Sequence, residues 1–392
     1  MSTPFRFKNA DNKTVDFEDY YVRADYFRSG NLWTWGYNTN GQLGDNTIVN
    51  KSSPVQTIAW GSNWKQAETF AGYATIATKT DGTLWTWGIN SFGQLGDNTT
   101  IKRSSPVQTT AFGTNWKNFS GCGSHTAAIK TDGTLWTWGY NAYGQLGDNT
   151  IVNKSSPVQT VTLGNNWKQV AGNNHTAAIK TDGTLWTWGE NSTYGALGDN
   201  TKTRKSSPVQ TVAFGTNWKQ VACGDFYTAA VKTDGTLWTW GRNSFGQLGD
   251  NTIVNKSSPV QTVTLGNNWK QVSIAQNTTV AIKTDGTLWC WGQNSSGQLG
   301  DNTILDKSSP VQTVAFGSNW KQVSTNGGVS TGAIKTDGTL WAWGSNAYGG
   351  LGDNTATDKS SPIQTITFGT NWKSIACGLY FSIAIQYQDD YQ

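Results

Sequence analysis

Seven copies of one five-residue word, LWxWG, govern what this chain can become. They begin at Leu32, Leu84, Leu135, Leu185, Leu237, Leu288 and Leu340, 50 to 52 residues apart, with Cys290 and Ala342 replacing the middle Thr in two of them. A module repeated at a fixed period cannot bury its own apolar face and must stack on its neighbours. The 392 residues therefore read as one array, where length alone would suggest two or three domains. In the fourth copy the full unit runs from His175 to Gly224, HTAAIKTDGTLWTWGENSTYGALGDNTKTRKSSPVQTVAFGTNWKQVACG.

Each unit has four short apolar runs. TAAIK and TLWTWG are joined by Asp-Gly, at Asp81, Asp132, Asp182, Asp234, Asp285 and Asp337. This is a strong hairpin signal, because Gly accepts the positive φ that a tight turn requires. A Gly-rich stretch ending in LGDNT and a variable four residues follow, then SSPVQT, whose Pro marks the start of a strand or an edge strand. The fourth run is led by the Trp of NWK. Of the 22 Trp, 14 lie in LWxWG and seven in NWK, leaving Trp60 outside the pattern, so the core is a Trp core. Four strands in about 50 residues make a propeller blade. The expected fold is all-β, a seven-bladed β-propeller of four-stranded blades closed by pairing of N- and C-terminal segments. The last unit stops at FSIAIQ with no LWxWG after it. Phe381 to Gln386 is therefore expected beside Leu32 to Trp35; a rival closure would put Asp25 to Phe27 there.

The segments VACGDFYTAAV (Val221 to Val231) and IACGLYFSIAI (Ile375 to Ile385), with WGxNxxGQLG after the first, resemble the regulator of chromosome condensation repeat family. The resemblance covers about residues 21 to 386 and implies a seven-bladed propeller. Where the family usually has His, these two copies have Tyr227 and Phe381, and only His125 and His175 keep it. Function does not follow from this fold. The family includes a nuclear exchange factor for a small GTPase, a plant ultraviolet receptor and a bacterial inhibitor of beta-lactamases, and none of their functional residues is matched here. The near-identical Asn- and Thr-rich copies and the leading segment are also similar in style to repeat proteins carried by bacteriophages.

Reactive groups are few. Two His and three Glu (Glu18, Glu68, Glu190) stand in the whole chain, and the one suggestive pair, Cys122 and His125, reads as packing more readily than as nucleophile and base. The GDN turns lack the alternating oxygen ligands of a calcium loop. No catalytic residue, cofactor or metal is expected. The net charge of +4 is spread over every repeat, and Lys102, Arg103, Lys202, Arg204 and Lys205 form only a local basic patch, which argues against nucleic acid as a partner. Trp in every repeat points to packing and away from photoreception. Cys122, Cys223, Cys290 and Cys377 stand in separate repeats and are expected to be free thiols. No apolar run of about 20 residues and no secretory leader is present, which argues against membrane insertion.

Positions set by the fold should drift least among internal copies. Two regions vary: the loop after GDNT, and the residues before TAAIK. If the second set clusters at one mouth of the ring, Tyr73, Asn173, Asn174, Asp225, Phe226, Gln276, Asn277 and Tyr380 are candidate partner-binding residues. Residues 1–30 do not share the repeat composition, and Phe5, Phe7, Phe17, Tyr20 and Tyr21 are candidates for an attachment element. The division expected is 1–30, a repeat domain over 31–386 and a tail over 387–392. The function expected is a non-enzymatic propeller displaying a binding surface, foremost a virion-associated phage protein whose partners are virion proteins or a host glycan. The alternative is a soluble cytoplasmic inhibitor or regulator of a cellular protein.

Overall fold

A computed structural model describes residues 6–8, 14–16 and 30–387, apart from 59–62, 71–72, 111–112, 162–163, 213–214, 264–265, 315–316, 326 and 367–368. The described residues form strands and turns with no helix. Blade 1 consists of Trp64–Phe70, Ala74–Lys79, Leu84–Gly88 and Arg103–Gln108, paired in that order. Blades 2 to 6 repeat this meander from Trp116, Trp167, Trp218, Trp269 and Trp320. Blade 7 is assembled from both ends of the chain: Trp372–Cys377 and Phe381–Tyr387 supply its inner half, Gly30–Gly36 and Lys51–Gln56 its outer half. Leu32 lies opposite Ile385 and Trp35 opposite Ser382. The seat of the closing strand is thus filled by Phe381–Tyr387, as the missing final LWxWG implies. The rival segment, 25–27, lies outside the described residues.

Burial explains the strand words. The second strand of a blade is buried almost throughout and the third alternates only at its first Trp, because both faces of a central strand pack on neighbouring blades. The fourth strand is the edge, where Pro157 and its equivalents are tolerated: in blade 2 its register against the third slips between Thr137 and Gly139. The Asp-Gly turn is a three-residue loop. Lys130 N–H donates to Thr134 O, Gly133 N–H to Lys130 O, and Gly133 sits at φ 82° while Asp132 Oδ1 receives the Thr134 N–H and hydroxyl.

Three devices join the blades. The second Trp of each LWxWG donates its indole N–H to a carbonyl of the preceding blade's loop, as Trp87 does to Gln42 O at 2.9 Å and Trp240 to Ala196 O at 2.8 Å. At the outside, the Asn of each GDN turn adopts positive φ, which Asn tolerates, and donates its backbone N–H to a Ser carbonyl of the next edge strand. The series runs from Asn46 with Ser104 to Asn354 with Ser52. Near the axis, the Gln of WKQV stands in for a peptide group. Gln169 Nε2 donates to Val221 O at 3.1 Å while Val221 N–H donates to Gln169 Oε1 at 3.0 Å, and Gln220 treats Val272 the same way. These inner strands surround an axial cavity of about 240 Å³.

The N-terminal segment contributes a hairpin, Arg6–Lys8 with Thr14–Asp16, in which Phe7 pairs with Val15. Phe5, Phe17, Tyr20 and Tyr21 lie outside the described residues.

Candidate functional site

Among the described residues, the connections from first to second strand and those from third to fourth open on one face of the ring, here the upper face. In each blade the residue after LWxWG donates its N–H to the carbonyl of the residue before the second strand. The pairs are Tyr37 with Tyr380, Ile89 with Tyr73, Tyr140 with Ser124, Glu190 with Asn174, Arg242 with Phe226, Gln293 with Asn277 and Ser345 with Val329. The backbone contact is identical seven times, and the pair of side chains it displays is different each time. The variation seen before TAAIK is therefore gathered at one mouth, together with a second variable position.

These side chains form an arc of three clusters. At the closing blade, Tyr37 lies 4.9 Å from Tyr348, 6.3 Å from Tyr380 and 6.5 Å from Tyr73 between ring centroids, and Tyr348 lies 5.0 Å from Tyr380. Tyr348 is 40% exposed and Tyr73 39%, so the cluster is open to solvent, and partial burial with mutual crowding raises the Tyr73 pKa. Over blades 1 to 3, Phe92 packs on Tyr140 at 4.8 Å and Tyr140 on Tyr143, which carries the Arg204 guanidinium above its ring at 4.6 Å. Arg204 is fixed there by Glu190 at 2.6 Å. Over blades 3 and 4, Tyr194 packs on Phe226, and Arg242 lies above both Tyr194 and Phe245. Blade 5 interrupts the arc with polar groups, Asn277 Nδ2 donating to Gln293 Oε1 at 3.0 Å and Gln293 Nε2 to Ser295 Oγ at 3.3 Å.

The candidate residues thus separate into kinds. Tyr73, Phe226 and Tyr380 are parts of the arc. Asn173 is almost fully buried and donates to Asp225 Oδ1 at 2.9 Å, and Asn174 donates to Asp225 O at 3.1 Å; these three tie blade 3 to blade 4. Burial raises the Asp225 pKa against the opposing pull of Asn173 and Arg242. Gln276 and Asn277 border the polar gap. Sequence reasoning missed Tyr37, Phe92, Tyr140, Tyr143, Tyr194, Arg242, Phe245 and Tyr348, although drift among copies just after LWxWG was a legible signal. Further out on the same side the variable loops expose aliphatic pairs, such as Ile151 with Val152 and Ile304 with Leu305.

The reactive groups are sequestered. Burial pushes the His125 imidazole down to about 3, with His175 adding to the effect, and that of His175 to about 4; the Cys122 thiol is pushed far up. His125 Nε2 lies 2.8 Å from Thr176 Oγ1, whose own proton goes to Gln145 O, so the imidazole donates. Tyr227 does the same work by donating to Thr278 O. All four cysteines are free and buried. Asp97 and its equivalents accept from the turn Thr, and Asp45, Asp97, Asp148, Asp250, Asp301 and Asp353 also pair with a Lys or Arg, which is turn chemistry. No helix among the described residues is long and apolar enough to cross a membrane.

Residues 153–391 match the RCC1-like domain, and residues 29–68, 81–129 and 120–145 match forms of the regulator of chromosome condensation (RCC1) repeat. The chain belongs to this family. It is 32% identical to the ultraviolet-B receptor UVR8 of Arabidopsis thaliana, over 84% of this chain and 76% of that one. It is 27% identical to the mitochondrial RCC1 domain-containing protein RUG3 of the same plant, over 80% of this chain and 61% of RUG3. Human E3 ubiquitin-protein ligase HERC2 is also 27% identical, but the chain spans only 6% of its length. Two solved structures share the fold. One is Prp20p of Saccharomyces cerevisiae (TM-score 0.82, 18% identity, 94% of this chain and 95% of that one), a structure described together with its binding to Gsp1p and histones. The other is human WBSCR16 (TM-score 0.81, 20% identity, 92% and 99%).

Proposed function

We propose that this propeller is a non-enzymatic regulator that receives a protein partner on its upper face. The observation that carries the reading is the coincidence of three properties at one place: drift among otherwise near-identical copies, partly exposed Tyr and Phe, and Arg held over aromatic rings. Aromatic side chains dominate interface energetics because they bury large area with few rotatable bonds, and Arg adds a planar fork of hydrogen-bond donors that stacks on aromatic rings. Among relatives, a receptor by name and a protein described with its binding to other proteins favour a regulator of a cellular protein; nothing in the comparisons favours a virion component. The N-terminal segment with Phe5, Phe7, Phe17, Tyr20 and Tyr21 is proposed as an accessory attachment element, whose removal would leave the ring folded and weaken assembly.

The test is capture from cells of the source organism with wild type, with an arc variant (Tyr37→Ser, Tyr348→Ser, Tyr380→Ser) and with a control altered on the opposite face (Asp182→Asn). A partner retained by wild type and control but lost from the arc variant supports the reading. Equal retention by all three would refute it.

A further inference from the structure

The axial cavity has a chemistry of its own. Its wall is the inner strand of every blade, and the fifth residue of that strand is Ser120, Ala171, Ala222, Ser273, Ser324 or Ala376 in six blades. In blade 1 it is Glu68. The seam does not require a carboxylate: Ser273 Oγ accepts the Thr325 N–H at 3.1 Å and Ser324 Oγ the Cys377 N–H at 3.1 Å, the same service that Glu68 gives to the N–H of Gly121. A hydroxyl suffices, so the charge and the second oxygen exceed what the seam uses.

Among the described residues no cation neutralises that charge. Burial acts most strongly on the carboxyl and pushes its pKa up to about 7, opposed only by hydrogen bonds from Gly121 and the Gln66 side chain; no Lys or Arg is among the groups that act on it. The Cys122 thiol feels Glu68 and is itself driven far up by burial, and Cys223, also on the cavity wall, is raised likewise, so both stay neutral. Glu68 nevertheless keeps part of its surface open to the cavity. A desolvated carboxylate beside polar space gains most from a cation that brings its own hydrogen-bond donors.

We propose that the axial cavity binds one compact primary ammonium ion on the Glu68 carboxylate. Size follows from the volume, about 240 Å³, which is below the roughly 300–1,000 Å³ of pockets for drug-sized ligands. Charge follows from a single carboxylate with no cationic partner among the described residues, which suits a monocation and rejects a zwitterion or an anion. Three N–H donors match the carboxylate together with nearby acceptors such as the Ser120 hydroxyl. The bound ion holds the carboxyl ionised, so affinity falls when pH drops below about 7.

Calorimetric titration of the full chain with methylammonium chloride tests this. At pH 8 one saturable site is expected, at least tenfold weaker at pH 5.5 and for tetramethylammonium, which has no N–H. Glu68→Ser, which restores the residue of two other seams, should keep the melting temperature and lose at least tenfold in affinity. Should that variant fail to fold, Glu68→Gln replaces it, and the pH and N–H dependences of the wild type decide independently. Absence of a site in the wild type, equal binding of tetramethylammonium, or undiminished binding by a folded Glu68 variant would overturn the proposal.

Discussion

The two faces of the ring are the two ends of the same strands, and they treat seven copies of one unit in opposite ways. On the lower face, described Asp-Gly turns repeat the same hydrogen bonds. In blades 1 to 6 the Lys before the turn lies between two Trp rings, as Lys130 does at 5.0 Å from Trp116 and 4.6 Å from Trp136. On the upper face the backbone bonds repeat and the side chains do not. Uniformity where a residue closes a hairpin, and divergence where it closes nothing, separates what the fold consumes from what it leaves available for recognition.

Both faces depend on one closed ring. Deleting residues 379–392 removes the second strand of blade 7 and Tyr380 with it. Cooperative loss of structure is expected, read by near-ultraviolet circular dichroism; a truncated chain that melts like the intact one would mean the ring is held otherwise. A smaller effect is expected at the lower face from Gly133→Ala. The left-handed conformation costs a residue with Cβ about 1–2 kcal/mol, and the new Cβ would collide with Asn165 O, so denaturant titration should show a loss of more than about 1 kcal/mol.

Acid sensitivity comes from between the faces. His175 is held neutral in the fold with its pKa lowered to about 4 from 6.5. Below pH 6.5 the unfolded chain takes up a proton that the native state refuses, so stability falls from pH 6.5 toward 4. His175→Tyr, which copies Tyr227 at the equivalent position, should flatten part of that slope in melts across the window. Glu68 contributes an opposite slope, stability declining as pH rises from about 4.5 toward 7, and cancels in the difference. An identical slope in variant and wild type would show that His175 does not set it. The smallest change is expected at the upper face, where Phe92→Ser or Tyr348→Ser should cost about 1 kcal/mol or less, the worth of a half-exposed aromatic contact.

Blade architecture was legible because each repeat states it again: hairpin turn, edge Pro and Trp positions are each written at least six times. The closing strand was legible by subtraction, since FSIAIQ lacks a partner in its own unit. The arc was half legible. Tyr73 and Tyr380 stood out as drift before the second strand, but Tyr37, Tyr348 and Tyr380 come together only through closure of the ring, from positions more than 300 residues apart in the case of Tyr37 and Tyr348. Glu68 was visible only as one of three Glu. Its significance depends on which strand faces the axis, and a single copy out of seven carries no periodic signal.

The most direct measurement places a photo-reactive side chain at Phe92, Phe245 or Tyr348 on the upper face and, separately, at Asp132 or Asp285 on the lower face, and cross-links each protein in cells of its source. The expected result is the same labelled partner from the upper-face positions, none from the lower, and loss of labelling at Phe92 and Phe245 when Tyr37 and Tyr380 are both changed to Ser. A partner labelled from the lower turns, or labelling from above that survives those changes intact, would contradict recognition by the upper face.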